Sequence, residues 1–175
     1  MAVSGLSHLT FVVRDLDRTT RLFVEGLGAQ EVYASGADSR SLSPEKFFLL
    51  GGIWIATMQG EPLPARSYRH VAFAVAAAEL PGYRVRLEAL GVEFGLSRPR
   101  IEGEGESLYF HDFDNHLFEL HAGTLEARLL AHRAALTAAP LGAGEAKGSR
   151  TQRASGRGTC PLAVSAATRR SAVQR

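Results

Sequence analysis

Two histidines open near-copies of one segment. His8-Leu9-Thr10-Phe11-Val12-Val13 and His70-Val71-Ala72-Phe73-Ala74-Val75 start 62 residues apart. A third segment, Asn115-His116-Leu117-Phe118-Glu119-Leu120-His121, sets a carboxylate between two apolar residues. Side chains alternate across a strand, so Glu119 faces away from Phe118 and Leu120, on one side with Leu117 and His121. An ionised carboxylate turned toward an interior is costly unless it is paired or bound to a metal. Two imidazoles and one carboxylate suit a divalent ion that keeps positions open for a chelating substrate. His8, His70 and Glu119 are therefore the candidate metal ligands. A lone strand histidine is more often structural; matched places in a repeat carry the case for these two. His121 shares the Glu119 face and reads as a supporting or rim residue. His111, His116 and His132 read as surface or packing residues.

The elements that must position these residues come in the same order twice. His8–Arg14 is a strand by alternation and β-branched content. Asp15 and Asp17 can cap a following helix with Leu16, Thr20, Phe23 and Leu27 on one face. Strands follow at Glu31–Ala34, Lys46–Leu50 and Ile53–Gln59, the last two joined by Gly51-Gly52. In the second half His70–Val75 is a strand, and Leu80, Tyr83, Leu87 and Leu90 line a helix that Gly91 ends. Strands at Val92–Gly95, Ser107–His111 and His116–His121 complete it. A last helix from a Thr124 cap carries Leu125, Leu129, His132 and Leu136 on its expected inner face.

This is an α+β chain of paired βαβββ modules, 4–62 and 66–122, plus a C-terminal helix, 123–136. Neither module can bury its own sheet face, so the two are expected to pair into a cup-shaped sheet. Residues 1–137 form the expected domain, and a hydrophobic fraction of 45% is enough for its core. The segment 138–175 is expected to be a disordered basic tail, because its Gly/Ala/Ser/Thr-rich composition buries too little to offset ordering entropy.

Charge supports that division. From Pro140 onward seven Lys/Arg stand against Glu145 alone, which leaves residues 1–139 at −4 of a chain total of +2. The basic residues have no aromatic interleaving, so no nucleic-acid partner is expected. The only cysteine, Cys160, excludes a disulfide or thiolate cluster within one chain. No signal segment or membrane-length apolar run is present, and a cytoplasmic location is expected.

Together with Glu31-Val32-Tyr33-Ala34-Ser35, Glu45-Lys46-Phe47-Phe48-Leu49, Met58-Gln59-Gly60-Glu61 and Arg98-Pro99-Arg100-Ile101-Glu102-Gly103-Glu104-Gly105, the three ligand segments resemble the vicinal oxygen chelate (glyoxalase-like) superfamily. Within it the chain is similar to fosfomycin resistance proteins, most of all the epoxide-hydrating FosX type. The resemblance covers about residues 4–136. It implies that His8, His70 and Glu119 hold Mn²⁺, with other divalent cations possible. It also implies a domain-swapped homodimer with shared sites, His8 coming from one subunit and His70 with Glu119 from the other. By the same resemblance Glu45 is the general base and Thr10 lies near the epoxide oxygen. Ser107, Tyr109 and Arg128 hold the phosphonate, and Trp54 walls the site. Thiol-transferring relatives carry a lysine and a serine before the position of Ser107. Pro99 and Gly103 stand near those places here, and Arg98 or Arg100 supplies the missing charge, the choice being open.

The implied reaction is metal-dependent hydration of a small phosphonate epoxide to a diol. The alternatives are a glutathione-type thiol transferase on the same drug, another enzyme of the superfamily such as a glyoxalase or dioxygenase, and a non-enzymatic binder. Each residue has a plainer role to set beside this: Glu45 in an ion pair with Lys46, Tyr109 in the core, Arg128 in a surface salt bridge, Thr10 as a good strand residue.

Overall fold

The computed structural model describes residues 2–36, 40–95 and 100–138. Arg98 and nearly all of the expected tail lie outside them. The chain forms β1 (His8–Val13), α1 (Leu16–Arg21), β2 (Gln30–Ala34), β3 (Glu45–Leu50) and β4 (Ile53–Gln59). It then repeats the order with β5 (His70–Ala74), α2 (Leu80–Ala89), β6 (Glu93–Phe94), β7 (Glu106–His111) and β8 (Leu117–Ala122). Helix α3 (Leu125–Ala138) follows. Two four-stranded mixed sheets result, ordered β1-β4-β3-β2 and β5-β8-β7-β6. In each the first strand runs parallel to the last of its module, and the other pairs are antiparallel. No helix among the described residues is long and apolar enough to cross a membrane.

Local chemistry explains most boundaries. Asp15 caps α1, its carboxylate accepting from the backbone N–H groups of Asp17 (3.0 Å) and Arg18 (2.9 Å). Gly51 and Gly52 both take positive φ, 56° and 80°, the values of the tight turn that lets β3 and β4 pair directly. One feature departs from the simple periodic reading. After Arg21 the first helix widens into a π turn over Leu22–Gly26. Leu22 and Phe23 are consecutive, and both are only 1% exposed. Thr19, Leu22, Phe23, Gly26 and Leu27 form the buried stripe expected of a helix, and the wider turn closes it with a bond from the Leu27 N–H to the Leu22 carbonyl.

The last helix corrects a second expectation. Leu125, Leu129 and Leu136 are exposed, and Leu130 is as well. The residues that α3 turns toward the loop before β7 are Arg128, Ala131 and His132. Its inner face answers a polar loop instead of an apolar sheet, so of the face read from the sequence only His132 turns inward and the three leucines do not.

The two modules share one core. Phe118 of β8 lies 5.2 Å from Phe11 and 6.0 Å from Phe23 of the first module, and stacks on Phe110 at 5.6 Å and Phe73 at 6.1 Å in its own. The turn between β7 and β8 fastens the modules from outside. Asp112 accepts from the N–H groups of Asp114 and His116, Asn115 donates to the Leu63 carbonyl at 2.7 Å, and the Arg18 guanidinium sits 3.5 Å over the Phe113 ring. Phe118→Ala is expected to cost about 3–5 kcal/mol in urea unfolding. A loss below about 1 kcal/mol would contradict a shared core, given what ring removal costs elsewhere.

Candidate functional site

Strand register decides which side chains share a face. On the second sheet Glu119 pairs with Ala72 on one side and Tyr109 on the other. His121 pairs with Ala74 and Ser107, and Leu117 with His70 and His111. Directly paired residues point the same way, so His70, Glu119, Tyr109, Ser107 and His121 form one patch. Phe118 and Leu120 point into the core, as alternation requires.

Glu119 is 7% exposed and its Oε2 lies 3.0 Å from His70 Nε2. The other ring nitrogen, Nδ1, lies 2.9 Å from the Tyr68 carbonyl. A carbonyl only accepts, so Nδ1 carries a proton, and in the neutral ring Nε2 then has the lone pair. In that neutral ring an imidazole lone pair and a carboxylate lone pair would face each other at close range. Such an arrangement requires a positive charge between or on the two, either a proton or a cation. The donor set fits a divalent metal ion.

The other carboxylate oxygen, Oε1, accepts from the Ser107 hydroxyl. Having donated its one proton, Ser107 accepts from His121, whose Nδ1 lies 2.8 Å away. Burial works against a charge on Glu119. Hydrogen bonds from Ser107 and Tyr109, with His121 and His70 close by, outweigh it and hold the carboxyl below the usual glutamate value. Burial, aided by contact with Glu119 and Tyr68, pushes the Tyr109 hydroxyl well above its ordinary range, so Tyr109 stays a donor. Arg100 completes the patch. Its Nη1 donates to the Gly105 carbonyl at 2.9 Å, while Nη2 is buried without a hydrogen-bond partner, 3.7 Å from Glu119 Oε1. A cavity of about 520 Å³ opens beside Tyr109, Tyr68 and His111.

Four more predicted residues, His8, Thr10, Trp54 and Glu45, lie on the first sheet. His8 pairs with Trp54, Thr10 with Ala56, Ala56 with Phe47, and Met58 with both Val12 and Glu45. His8, Thr10, Trp54 and Glu45 thus share one face. The His8 ring lies 4.4 Å from the Trp54 ring, and its Nδ1 is 3.2 Å from Ser7 Oγ. The Glu45 backbone is tied to Ser35 in both directions. Lys46 points to the opposite side, to Asp17 at 3.0 Å and Glu31 at 3.6 Å, so the sequence neighbour of Glu45 is not its ion-pair partner. Among the described residues, no three His, Cys, Asp or Glu side chains of one chain are grouped to hold a metal. His70 and Glu119 meet; His8 does not join them within a single chain. Arg128 stands at Glu104, with Nε 3.7 Å from Oε1.

Sequence reasoning left the choice between the two loop arginines open, and only Arg100 is among the described residues. It missed Tyr68, which orients His70 through a backbone carbonyl, a contact that no side-chain pattern announces. It also missed Glu104, which is 1% exposed. Its one signal is a carboxylate lodged between two glycines.

If Ser107 helps keep Glu119 ionised, Ser107→Ala raises the Glu119 pKa in metal-free protein, readable from its side-chain carboxyl carbon by NMR. A lowered native pKa stabilises the fold above the ordinary glutamate value, and that contribution fades as pH falls through the native pKa. The variant therefore loses stability at a higher pH than the parent. An unchanged titration would contradict the assignment.

No family model matches the chain. Its relatives are nevertheless close. It is 54% identical over 127 residues to the fosfomycin resistance protein FosX of Listeria monocytogenes, covering 73% of this chain and 96% of that protein. The FosX of Mesorhizobium japonicum is 53% identical over 137 residues, 78% of this chain and 99% of the relative. The metallothiol transferase FosB of Shouchella clausii is 32% identical over 139 residues, covering 73% and 86%. A crystal structure of a Listeria monocytogenes FosX mutant complexed with Mn(II) and 1S,2S-dihydroxypropylphosphonic acid superposes with a TM-score of 0.69 at 50% identity, over 75% of this chain and 99% of that one. A glyoxylase/bleomycin resistance protein/dioxygenase domain from Frankia matches with a TM-score of 0.58 at 25% identity, over 71% and 95%. The paired βαβββ sheets, the facing His70 and Glu119, and these likenesses lead to one family: the chain belongs to the FosX fosfomycin resistance proteins.

Proposed function

We propose that the chain inactivates fosfomycin, or a similar phosphonate epoxide, by hydrating the epoxide to a vicinal diol. In this reading Mn²⁺ is held by His70 and Glu119 of one copy and His8 of a second, in a homodimer with shared sites. The observation that carries it is the opposed pair of lone-pair atoms, His70 Nε2 and Glu119 Oε2, at 3.0 Å. The Mn(II) and dihydroxypropylphosphonic acid bound to the Listeria relative fit the same chemistry.

A divalent cation there supplies Lewis acidity to the epoxide oxygen. The protein's own groups do the rest. The Nη2 of Arg100, buried beside Glu119 without a hydrogen-bond partner, offers a donor to the phosphonate, and Ser107 and Tyr109 line the same patch. Arg128 adds a second guanidinium at the edge. On the first sheet Glu45 takes the proton from the attacking water, Thr10 neighbours the epoxide oxygen, and Trp54 walls the site beside His8. Attack by that water opens one C–O bond, and the released oxygen takes up a proton to give the second hydroxyl.

The division of these residues between two sheets supports a shared site. His8, Thr10 and Trp54 look out from an uncovered face that also exposes Val12 and Leu49 at more than 40% each. A second copy would cover that face and bring its ligand to the waiting pair. Water is favoured over a thiol as nucleophile because the FosX relatives are 53–54% identical and the FosB relative 32%.

Phosphorus NMR of the Mn²⁺-loaded protein with fosfomycin should show the diol without any added thiol. Glu45→Gly should lower kcat by roughly 10²–10⁴-fold with Mn²⁺ affinity unchanged. His70→Ala should abolish metal binding at the site. Turnover that requires glutathione, or full activity in Glu45→Gly, would overturn the hydrolase reading.

A further inference from the structure

Glu104 has no part in the chemistry above, yet it is the most deeply buried charged side chain of the described residues. Its carboxylate is 0% exposed. Burying a charge this completely is destabilising unless several partners meet it. Here they come from two elements. Oε2 accepts from the Ile101 backbone N–H at 3.2 Å, and the Glu104 N–H returns a bond to the Ile101 carbonyl at 3.1 Å. Oε1 faces His132 Nε2 at 2.7 Å and Arg128 Nε at 3.7 Å, both on α3. Positions 128 and 132 lie one helical turn apart, so one face of α3 closes on one carboxylate.

The loop that Glu104 pins is the one that aims Arg100. Arg100 Nη1 is anchored on the Gly105 carbonyl, next to Glu104 in sequence. Gly105 has φ of +86° and packs so tightly on the end of β8 that a Cβ would collide with the Ala122 carbonyl. The segment 100–105 is thus fixed at three points: to α3 through Glu104, to β8 through Gly105, and to Glu119 through Arg100.

We infer that Glu104 and His132 form a latch that positions the anion-binding arginines, Arg100 through the loop and Arg128 directly, so that Glu104 is a positioning residue for the phosphonate. This rests on the proposed phosphonate reading for its substrate but not for its geometry. Glu104 sets the direction of both guanidiniums without touching substrate or metal.

The test uses the full chain loaded with Mn²⁺. It measures inorganic phosphate binding by calorimetry, fosfomycin KM and kcat, and Mn²⁺ affinity. Glu104→Gln keeps the shape and removes the charge. It should weaken phosphate binding and raise KM together by about tenfold, the loss expected of a misaligned charge-assisted contact. The kcat should change by less than about threefold and Mn²⁺ affinity should not change, because a purely positional loss falls on substrate binding. His132→Gln, on a half-exposed helix face, should shift phosphate binding and KM in the same direction and decides the matter if Glu104→Gln does not fold. Folded variants with phosphate affinity and KM within about twofold of the parent would overturn the latch, as would an equal loss of Mn²⁺ affinity. Phosphate binding is read without turnover. A chain that shows the phosphate effect but hydrates no fosfomycin would keep the latch and sink the hydrolase reading.

Discussion

The site turns on one close contact, the His70 imidazole nitrogen Nε2 facing a buried carboxylate oxygen at 3.0 Å, a pair that a proton or a cation must bridge. Neither group is free to turn away. The Tyr68 carbonyl holds the far side of the His70 ring, and Ser107 holds the far oxygen of Glu119. The cost of leaving two acceptors in contact is relieved only by positive charge. A metal ion can supply that charge and accept further ligands as well. The neighbouring donors, Tyr109 and the unpartnered nitrogen of Arg100, suit the anion that such a cation would attract.

Two ligands do not make a selective site. The third candidate, His8, stands on the other sheet, on a face that the chain itself leaves open. The register there is orderly: His8 beside Trp54, Thr10 beside Ala56, Val12 beside Met58, Met58 beside Glu45. His8, Glu45 and Trp54 lie on one uncovered surface, and His70, Glu119 and Arg100 lie together on the other module. Under the proposed reading each surface is half of a site, and pairing two copies satisfies the exposed apolar residues and the metal in one step. The fold's duplicated modules make that exchange possible, since each sheet is built to pack on another like it.

The placement of the candidate ligands on their strands was legible because its signals are simple. A repeat fixed the two histidines at equivalent strand starts, and alternation turned Glu119 away from Phe118 and Leu120. Both arguments need only local geometry. The strand order and the Asp15 cap follow from similar rules. The π turn at Leu22–Gly26 was not legible, because the spacing of apolar residues does not distinguish one wider turn from a regular helical one. The inner face of α3 was only partly read, because leucine spacing assumes an apolar partner: His132 turns inward as expected, but Arg128 joins it at the buried charge of Glu104 while the leucines are exposed. That carboxylate sits between glycines in a loop, where sequence suggests solvent. The aim of Arg100 depends on a backbone carbonyl five residues on, which side-chain patterns do not encode.

The claim that the site is completed across two copies is tested most directly by mixing defective chains. His8→Ala and His70→Ala should each be inactive alone. Co-expressed, they should form mixed pairs in which one of two sites has every ligand, restoring about a quarter of parental activity per site if pairing is random. No recovery in demonstrably mixed pairs would place all three ligands within one chain and contradict the account.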